Sequence, residues 1–431
     1  MNPFSNEGAV DQLNIFNLPS TQSGVENIYY TDVRPINQNY DSVVEFNFPK
    51  NDSAYLYPKG SRMLLTFRVV KEDGSECTDA DKYVPIDCLL HTMWSDVVVK
   101  LNSKQISNSV GHYAYKSVFN NTFNRFLQSS KLRHAQEFHA PDVGSDFDEL
   151  PPSDDSGEMK NYGAFIRYTL TRKSKQCTAF GPIVEDFFAI DKFIPPNQDL
   201  SVAFFRNSDD FCLIAAEGSK YKIEIIDICI RMCCVQLFHP VFQAHQDALK
   251  SSPAIFPLKQ QILKDYTVPA GVSSFTWNNV NASDQLPGRL CVAFVAEKAY
   301  LGSRTNNPFN FEHFNVSSIG LYSNDQMSCQ PHYKLNYEQS YYPEAYNSLM
   351  EASESPISIH LTNFDRGYAL YMFFILDLNP VHTDLINRKQ KGELTLNVTF
   401  DKSTPKTLKC LAWSEYDASL KIEQNRFTTV E

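Results

Sequence analysis

The stretch YKIEIIDICIRMCCVQLFHPVFQAHQDALKSSPAIFP, residues 221–257, determines how the chain is divided. Its first part, up to Leu237, is rich in β-branched and other apolar residues and is typical of one long strand. After it, apolar residues recur at near-helical spacing from Val241 to Leu249, and Pro residues close both ends. We therefore expect a long strand and then a helical linker that separates two halves of the chain.

Short runs of β-type composition dominate both halves. They include SVVEFNFP, SDVVVKLNSKQIS and DLSVAFFRN before the linker, and RLCVAFVAE, GYALYMFFILDL and GELTLNVTF after it. Clusters of Pro, Asn, Asp and Ser separate these runs, and long helical patterns rarely follow them. This pattern indicates β-sandwiches rather than βαβ units.

The two halves also repeat each other. Gln105-Ile106-Ser107 and Gln326-Met327-Ser328 follow strand-like runs, and each is followed by a helix-like segment. Those segments contain Ala114-Tyr115-Lys116-Ser117 and Ala345-Tyr346-Asn347-Ser348. Because the matches occur in the same order and context, they indicate a duplicated domain. A unit of this size, mostly antiparallel strand with a short helix inserted, fits a jelly roll.

The fold class predicted from the residues is therefore all-β, with two jelly rolls and short inserted helices. Residues 142–158 hold seven acidic residues and no basic one, and we expect an exposed loop there. The predicted organisation is an N-terminal arm (1–28), a first jelly roll (29–238), a helical linker (239–258), a second jelly roll (259–415) and a C-terminal tail (416–431).

Charge and hydropathy restrict the function classes. The formal net charge is −11, so specific nucleic-acid binding is not expected. The longest apolar run, YALYMFFIL (368–376), is about half of a membrane span, so no transmembrane segment is expected. The first residues lack a charged and then apolar leader pattern, so we expect synthesis inside the cell without a secretory signal.

The ten cysteines do not show metal or disulfide spacing. No CxxC pair occurs in the sequence. Cys229 and Cys233 lie on one predicted strand, where four residues span about 13 Å, too far for one disulfide or one metal ion. We expect reduced thiols that are mostly buried.

No catalytic motif is present. Walker, GxGxxG, GxSxG and HExxH patterns are all missing from the sequence. His134 and His139 are five residues apart, which is not helical ligand spacing. Glu312 and His313, in NNPFNFEHFNVSSIGLY (306–322), point to opposite faces of an extended chain and cannot chelate together. The prediction is no enzyme, with no catalytic, cofactor-binding or metal site and no cofactor.

Several stretches resemble one family along most of the chain. DQLNIFNLPSTQSGVENIYYTDVRPI (11–36), LLHTMWSDVVVKLNSKQIS (89–107) and NPFNFEHFNVSSIGLY (307–322) resemble the major capsid proteins of Maverick/Polinton elements and adintoviruses. Further matches include YKIEIIDICIRM with HPVFQAHQDAL, and QLPGRLCVAFVAEKAYLGS. They run in order from about residue 11 to about residue 380.

The resemblance implies a double jelly roll, in which two eight-stranded antiparallel sandwiches stand side by side. It also implies a hexon-like structural protein of a virion shell. Three copies would form a pseudo-hexagonal homotrimeric capsomer that tiles an icosahedral capsid, with neighbouring capsomers and minor or penton capsid proteins as partners. The arm would contact a neighbouring capsomer or a minor protein. The alternatives are a minor or vertex capsid protein, which is usually a single jelly roll, and a carbohydrate-binding β-sandwich protein, which would favour a secretory signal and disulfides.

Overall fold

The fold is described from a computed structural model. It covers residues 21–107, 111–124, 136–152, 159–281, 283–323, 326–327, 332–352, 359, 361–375 and 389–430.

The first half forms two facing antiparallel sheets. Its strands are β1 (Val25–Val33), β2 (Val43–Phe48), β3 (Ala54–Lys71), β4 (Tyr83–Pro85), β5 (Trp94–Leu101), β6 (Lys104–Gln105), β7 (Cys177–Gly181), β8 (Leu200–Arg206), β9 (Leu213–Ala215) and β10 (Tyr221–Leu237). One sheet has the order β1-β10-β3-β7 and the other β2-β8-β5-β6, while β4 and β9 form a separate pair. Alternate residues of β2 and β8 are buried, which places the core between the two sheets.

The second half repeats this plan. Its strands are β11 (Ala254–Val268), β12 (Ser274–Trp277), β13 (Arg289–Ala296), β14 (Val316–Ser323), β15 (Gln326–Met327), β16 (Tyr333–Lys334), β17 (Leu370–Phe374), β18 (Leu394–Phe400), β19 (Leu408–Ile422) and β20 (Thr428–Val430). The sheets have the orders β11-β19-β13-β17 and β12-β18-β14-β15, with β20 added to β19 and β16 added to β14.

Eight strands of each half occupy equivalent places. We leave out the additional strands β4, β9, β16 and β20 and count the remaining strands of each half from one to eight along the chain. In both halves, one sheet then has the order first, eighth, third, sixth. The opposite sheets both follow the order second, seventh, fourth, fifth. This is two jelly rolls in one chain, and it confirms the predicted all-β double jelly roll.

Short helices are inserted between the strands. They are α1 (Leu89–Thr92), α2 (Tyr113–Asn124), α3 (Tyr162–Thr171), α4 (Asp209–Cys212), α5 (His239–Leu249), α6 (Glu297–Tyr300), α7 (Pro343–Glu351) and α8 (Leu361–Phe364). Among the residues described, no helix is long and apolar enough to cross a membrane.

The internal sequence repeat falls on equivalent elements. Gln105 lies in β6 and Gln326 in β15, each the fifth jelly-roll strand of its half. Ala114 lies near the start of α2 and Ala345 near the start of α7, the helices that follow. The duplication inferred from these short matches therefore agrees with the topology.

Several element bounds differ from the predicted organisation. β1 begins at Val25, inside the predicted arm, and pairs with β10. β11 begins at Ala254 and includes Pro257; it pairs only with β19 among the described strands, so this edge strand tolerates the missing N–H of proline. The predicted tail contains the end of β19 and β20. Helix α5 lies within the predicted linker.

No disulfide joins the cysteines that the structure describes. Cys177 is half-buried, and the other eight described cysteines are buried. The expectation of reduced, mostly buried thiols is confirmed for these nine, whereas Cys329 lies outside the described residues.

Candidate functional site

The two jelly rolls meet in a buried aromatic contact, called the junction below. Helix α2 of the first half carries apolar residues at a spacing of four, which forms a stripe along one face. Phe119 stacks on Trp413 with a centroid distance of 6.3 Å and an interplanar angle of 16°. The junction consists of Tyr115, Phe119 and Phe123 on α2 and of Tyr300, Phe309, Phe311 and Trp413 in the second half.

Burial extends through both faces of the second-half sheet at this contact. All eight residues of β13, between Arg289 and Ala296, are buried. A sheet with one wet face would show buried and exposed residues in alternation, so both faces of this strand are covered. Most buried apolar residues of the two halves belong to one continuous cluster, and a small separate cluster contains Tyr55, Val235 and Leu237. The junction therefore joins the jelly rolls through a shared core.

A buried polar group lies beside the aromatic rings and is called the junction network. Lys116 Nζ lies 2.9 Å from Glu185 Oε2 and 2.9 Å from Asp186 Oδ1. The backbone N–H of Gln261, in β11, donates to Asp186 Oδ2 at 3.2 Å. Gln261 Nε2 in turn lies 3.4 Å from Glu415 Oε2. The network therefore runs from α2 into the sheet of the second half.

Arg289 completes the network in the second half. Its Nε and Nη2 donate to the two carboxylate oxygens of Glu415 at 3.0 and 3.1 Å. The guanidinium carbon also lies 5.4 Å from the ring centre of Trp413. Arg289 is 2% exposed and Glu415 4% exposed. A two-point, buried ion pair of this kind fixes geometry as well as charge.

Glu185 makes the junction network sensitive to pH. Burial raises the pKa of Glu185 to about 7, against the lowering effect of Lys116. A glutamate whose pKa is raised in the folded state stabilises it most below the pKa of the unfolded chain, 4.5. That stabilisation is lost as pH rises through about 7. One pKa unit corresponds to about 1.4 kcal/mol, so the loss amounts to roughly 3 kcal/mol.

We therefore expect Glu185→Gln to abolish part of the pH dependence of stability. Gln stays neutral at every pH and still offers Lys116 an oxygen. In urea unfolding at pH 5, the variant should be close to the wild type; at pH 8, it should be more stable than the wild type. A stability difference that does not change between pH 5 and pH 8 would contradict the assignment. Glu338→Gln, at a carboxylate paired with Lys402 on the surface, is the matched control.

The acidic segment 142–158 is partly buried where it is described. Asp142, 5% exposed, accepts from Arg167 Nη2 at 2.5 Å and from Asn307 Nδ2, of the second half, at 3.0 Å. Phe147 is buried against Tyr368. The prediction of an exposed loop therefore does not hold for Asp142 and Phe147, whereas Val143 is 43% exposed. A buried arginine compensates the carboxylate of Asp142. Residues 153–158 lie outside the described part of the chain.

Glu312 and His313 contribute to packing and surface contacts. The ring of His313 stacks on Tyr337 at 3.8 Å, and burial lowers the pKa of His313. Glu312 Oε1 lies 3.3 Å from Lys406 Nζ at the surface. Phe309 and Phe311, from the same stretch, are buried in the junction. His313 therefore contributes to packing, and Glu312 to an ion pair at the surface.

The structure brings together one group of possible metal ligands that was not predicted from the sequence. Cys88, His91 and Glu137 each place a ligand atom within 4.8 Å of the other two. Only the Cys88-x-x-His91 spacing was visible in the sequence, since Glu137 follows 46 residues after His91. His139 pairs instead with Asp87, with its Nδ1 2.8 Å from Asp87 Oδ2. His134 lies outside the described residues.

Exposed apolar side chains mark two surfaces. On β1, an edge strand, Ile28 is 54% and Tyr30 57% exposed. On α3, Tyr162, Phe165 and Leu170 are exposed while other residues of the helix face the protein. Edge strands and clustered apolar residues are typical of surfaces that contact other chains.

Comparisons with known proteins support the fold. No protein-family model matches the chain. The chain is 22% identical over 438 residues to "Uncharacterized protein F54H12.2" of Caenorhabditis elegans, covering 96% of this chain and 99% of that protein.

Solved structures with the same fold come from viruses. A chain of the Sputnik virophage aligns with a TM-score of 0.65 at 11% identity, covering 99% of this chain and 93% of its own. The mavirus major capsid protein aligns with a TM-score of 0.55 at 9% identity, covering 99% of this chain and 95% of its own. The Faustovirus major capsid protein aligns with a TM-score of 0.57 at 7% identity, covering 94% of this chain and 92% of its own. At these identities the similarity establishes the fold, over nearly the whole length of each chain.

Proposed function

We propose that this chain is the major structural subunit of an icosahedral capsid and has no enzymatic activity. The observation that carries the proposal is the doubled jelly roll, joined through one shared core. Its structural neighbours include two proteins described as major capsid proteins, and each alignment covers more than nine-tenths of both chains. A rigid block with two similar halves suits a shell subunit, because three copies present six similar sandwiches around one axis.

The proposed assembly is a pseudo-hexagonal homotrimer that contacts neighbouring capsomers and minor or penton proteins. Ile28 and Tyr30 on β1, together with the exposed face of α3, offer apolar area for contacts between subunits. An obligate contact of this kind buries more than about 1,600 Å². The part of the predicted arm (1–28) that precedes β1 would reach a neighbouring capsomer. The protein would reside in the virion shell after synthesis inside the host cell.

The finer assignment is to the coat proteins of Maverick/Polinton elements and adintoviruses. It rests on the sequence resemblance between residues 11 and about 380. A relative of nearly the same length in a nematode fits an element integrated in an animal genome. The net charge of −11 suits a shell that leaves DNA binding to other proteins.

The alternatives explain less of the structure. A minor or vertex capsid protein with one jelly roll would not need the second set of eight strands. A secreted carbohydrate-binding sandwich would favour disulfides, whereas none joins the cysteines in the described part of the chain.

We expect purified protein to have a solution mass near three times 49.2 kDa. Light scattering on a sizing column measures this mass, and negative-stain images of the same fraction should show a pseudo-hexagonal outline. Replacing Ile28 and Tyr30 with Lys should shift the mass toward the monomer, while the matched surface change Lys402→Glu should not. A monomer at every wild-type concentration would contradict self-assembly into capsomers.

A further inference from the structure

Three side chains of metal-ligand type converge in the first jelly roll. Cys88 Sγ, an imidazole nitrogen of His91 and a carboxylate oxygen of Glu137 lie within 4.8 Å of one another. Cys88 is 3% exposed, His91 fully buried and Glu137 2% exposed. We propose that Cys88, His91 and Glu137 bind a zinc ion, a role that departs from the absence of a metal site predicted from the sequence.

The local backbone holds these ligands in place. Cys88 immediately precedes α1 and His91 lies within it, so the two side chains are separated by about one turn. The N–H of Cys88 donates to the carbonyl of Phe138 at 3.2 Å, beside Glu137. The N–H of Phe180, in β7, donates to the carbonyl of Gln136 at 2.7 Å. The turn that carries Glu137 is therefore fixed on both sides.

The donor set selects a borderline-soft cation. Calcium and magnesium take oxygen ligands, whereas zinc combines thiolate, imidazole and carboxylate. Zinc–ligand bonds of about 2.0–2.3 Å place tetrahedral ligand atoms roughly 3.3–3.6 Å apart. His91 Nε2 and Glu137 Oε2 are 3.0 Å apart, and all three ligand atoms lie within 4.8 Å of one another. Binding therefore needs the ligand atoms to approach by no more than about 1.5 Å. A divalent ion also balances one thiolate and one carboxylate in a buried place.

A neighbouring cavity provides room for the fourth ligand. Cys88 lines a cavity of about 270 Å³ together with Asp87, Asn121 and His139. This volume far exceeds the space of roughly 30 Å³ that one water molecule takes up in the liquid. Phe311, of the second half, lines the same cavity. Three protein ligands and a water molecule form a common zinc coordination, and here the water would face the junction.

The competing explanation is a set of ordinary buried hydrogen bonds. His91 and Glu137 form one such pair, and Asn121 Nδ2 lies 3.3 Å from Cys88 Sγ. The two explanations differ in one measurable respect. Hydrogen bonds alone create no preference for a thiophilic ion, whereas the zinc site does.

Metal titration of the full-length wild-type protein distinguishes a zinc site from a set of hydrogen bonds. After dialysis against a chelator, added Co²⁺ should produce the near-ultraviolet thiolate charge-transfer band and saturate at one ion per chain. Zn²⁺ should displace the cobalt and raise the melting temperature. Wild-type protein that shows neither the band nor stoichiometric zinc would overturn the proposal, whatever its oligomeric state.

Variants locate the ion. Cys88→Ser should remove the cobalt band, and Glu137→Gln should weaken zinc binding by at least about tenfold. The matched control is Cys410→Ser, at a fully buried thiol of the second half, which should leave the band unchanged. Circular dichroism confirms that each variant is folded. A full cobalt band in folded Cys88→Ser would equally overturn the assignment.

Discussion

Replacing Arg289 with Met is expected to lower the free energy of unfolding by about 3–5 kcal/mol. Met fills much of the volume of the arginine stem, so the main effect is electrostatic. The carboxylate of Glu415 remains buried but loses the guanidinium that donates to both of its oxygens. The cation–π contact with Trp413 is lost as well. Urea unfolding at one fixed protein concentration measures the change, since oligomerisation makes stability depend on concentration.

Two further variants separate this cause from a general effect of removing a charge. Lys402 lies 2.7 Å from Glu338, but both side chains are more than 60% exposed. Lys402→Met should therefore cost less than about 1 kcal/mol. The double variant Arg289→Met with Glu415→Leu removes both buried charges and should recover most of the loss. Two results would refute the loss of the guanidinium beside Glu415 as the cause. One is an equal loss of unfolding free energy in Arg289→Met and Lys402→Met, and the other is no recovery of stability in the double variant.

The strands could be predicted because their signals are local. Alternating apolar residues, turn clusters and the long run 221–237 mark where the chain is extended, and these features need no distant partner. The repeat at Gln105 and Gln326 added the topology, since duplicated sequence implies duplicated strand order. A short strand close to the C-terminus was harder to predict. β20 was missed because a three-residue strand acquires its stability from its partner β19 rather than from its own pattern.

The junction could not be predicted, because its contacts are not local in the sequence. Its contacts join residues far apart in the sequence, such as Phe119 with Trp413 and Asp142 with Asn307. An acidic residue carries no sign of the arginine that will compensate it, so Asp142 was assigned to solvent. The same holds for Glu137, whose neighbours Cys88 and His91 come from another element. Partner identity is a tertiary property, and a single sequence does not encode it in any local spacing.

Replacing Phe119 with Ala is expected to destabilise the protein by about 3–5 kcal/mol and to weaken the coupling between its halves. Phe119 is fully buried, and its ring lies 5.6 Å from that of Phe311 and 6.3 Å from that of Trp413. The truncation leaves a cavity between α2 and the second-half sheet. Because the two cores are continuous, the wild type should unfold in one transition, and the variant should show two. Calorimetry and tryptophan fluorescence, with Trp94 and Trp413 in different halves, measure this.

Phe46→Ala is the matched control for this coupling. Phe46 is also fully buried, but its aromatic contact is with Phe204 of the same jelly roll, at 5.8 Å. It should cost a similar free energy, because a comparable volume is removed from a comparable core. Yet it should leave a single unfolding transition, since the junction is intact and the two halves stay coupled. If both variants instead unfold in one transition with equal losses, the halves are held together by the junction network rather than by the aromatic contact. Phe119→Ala would then leave Arg289 and Lys116 as the groups on which the rigidity of the subunit depends.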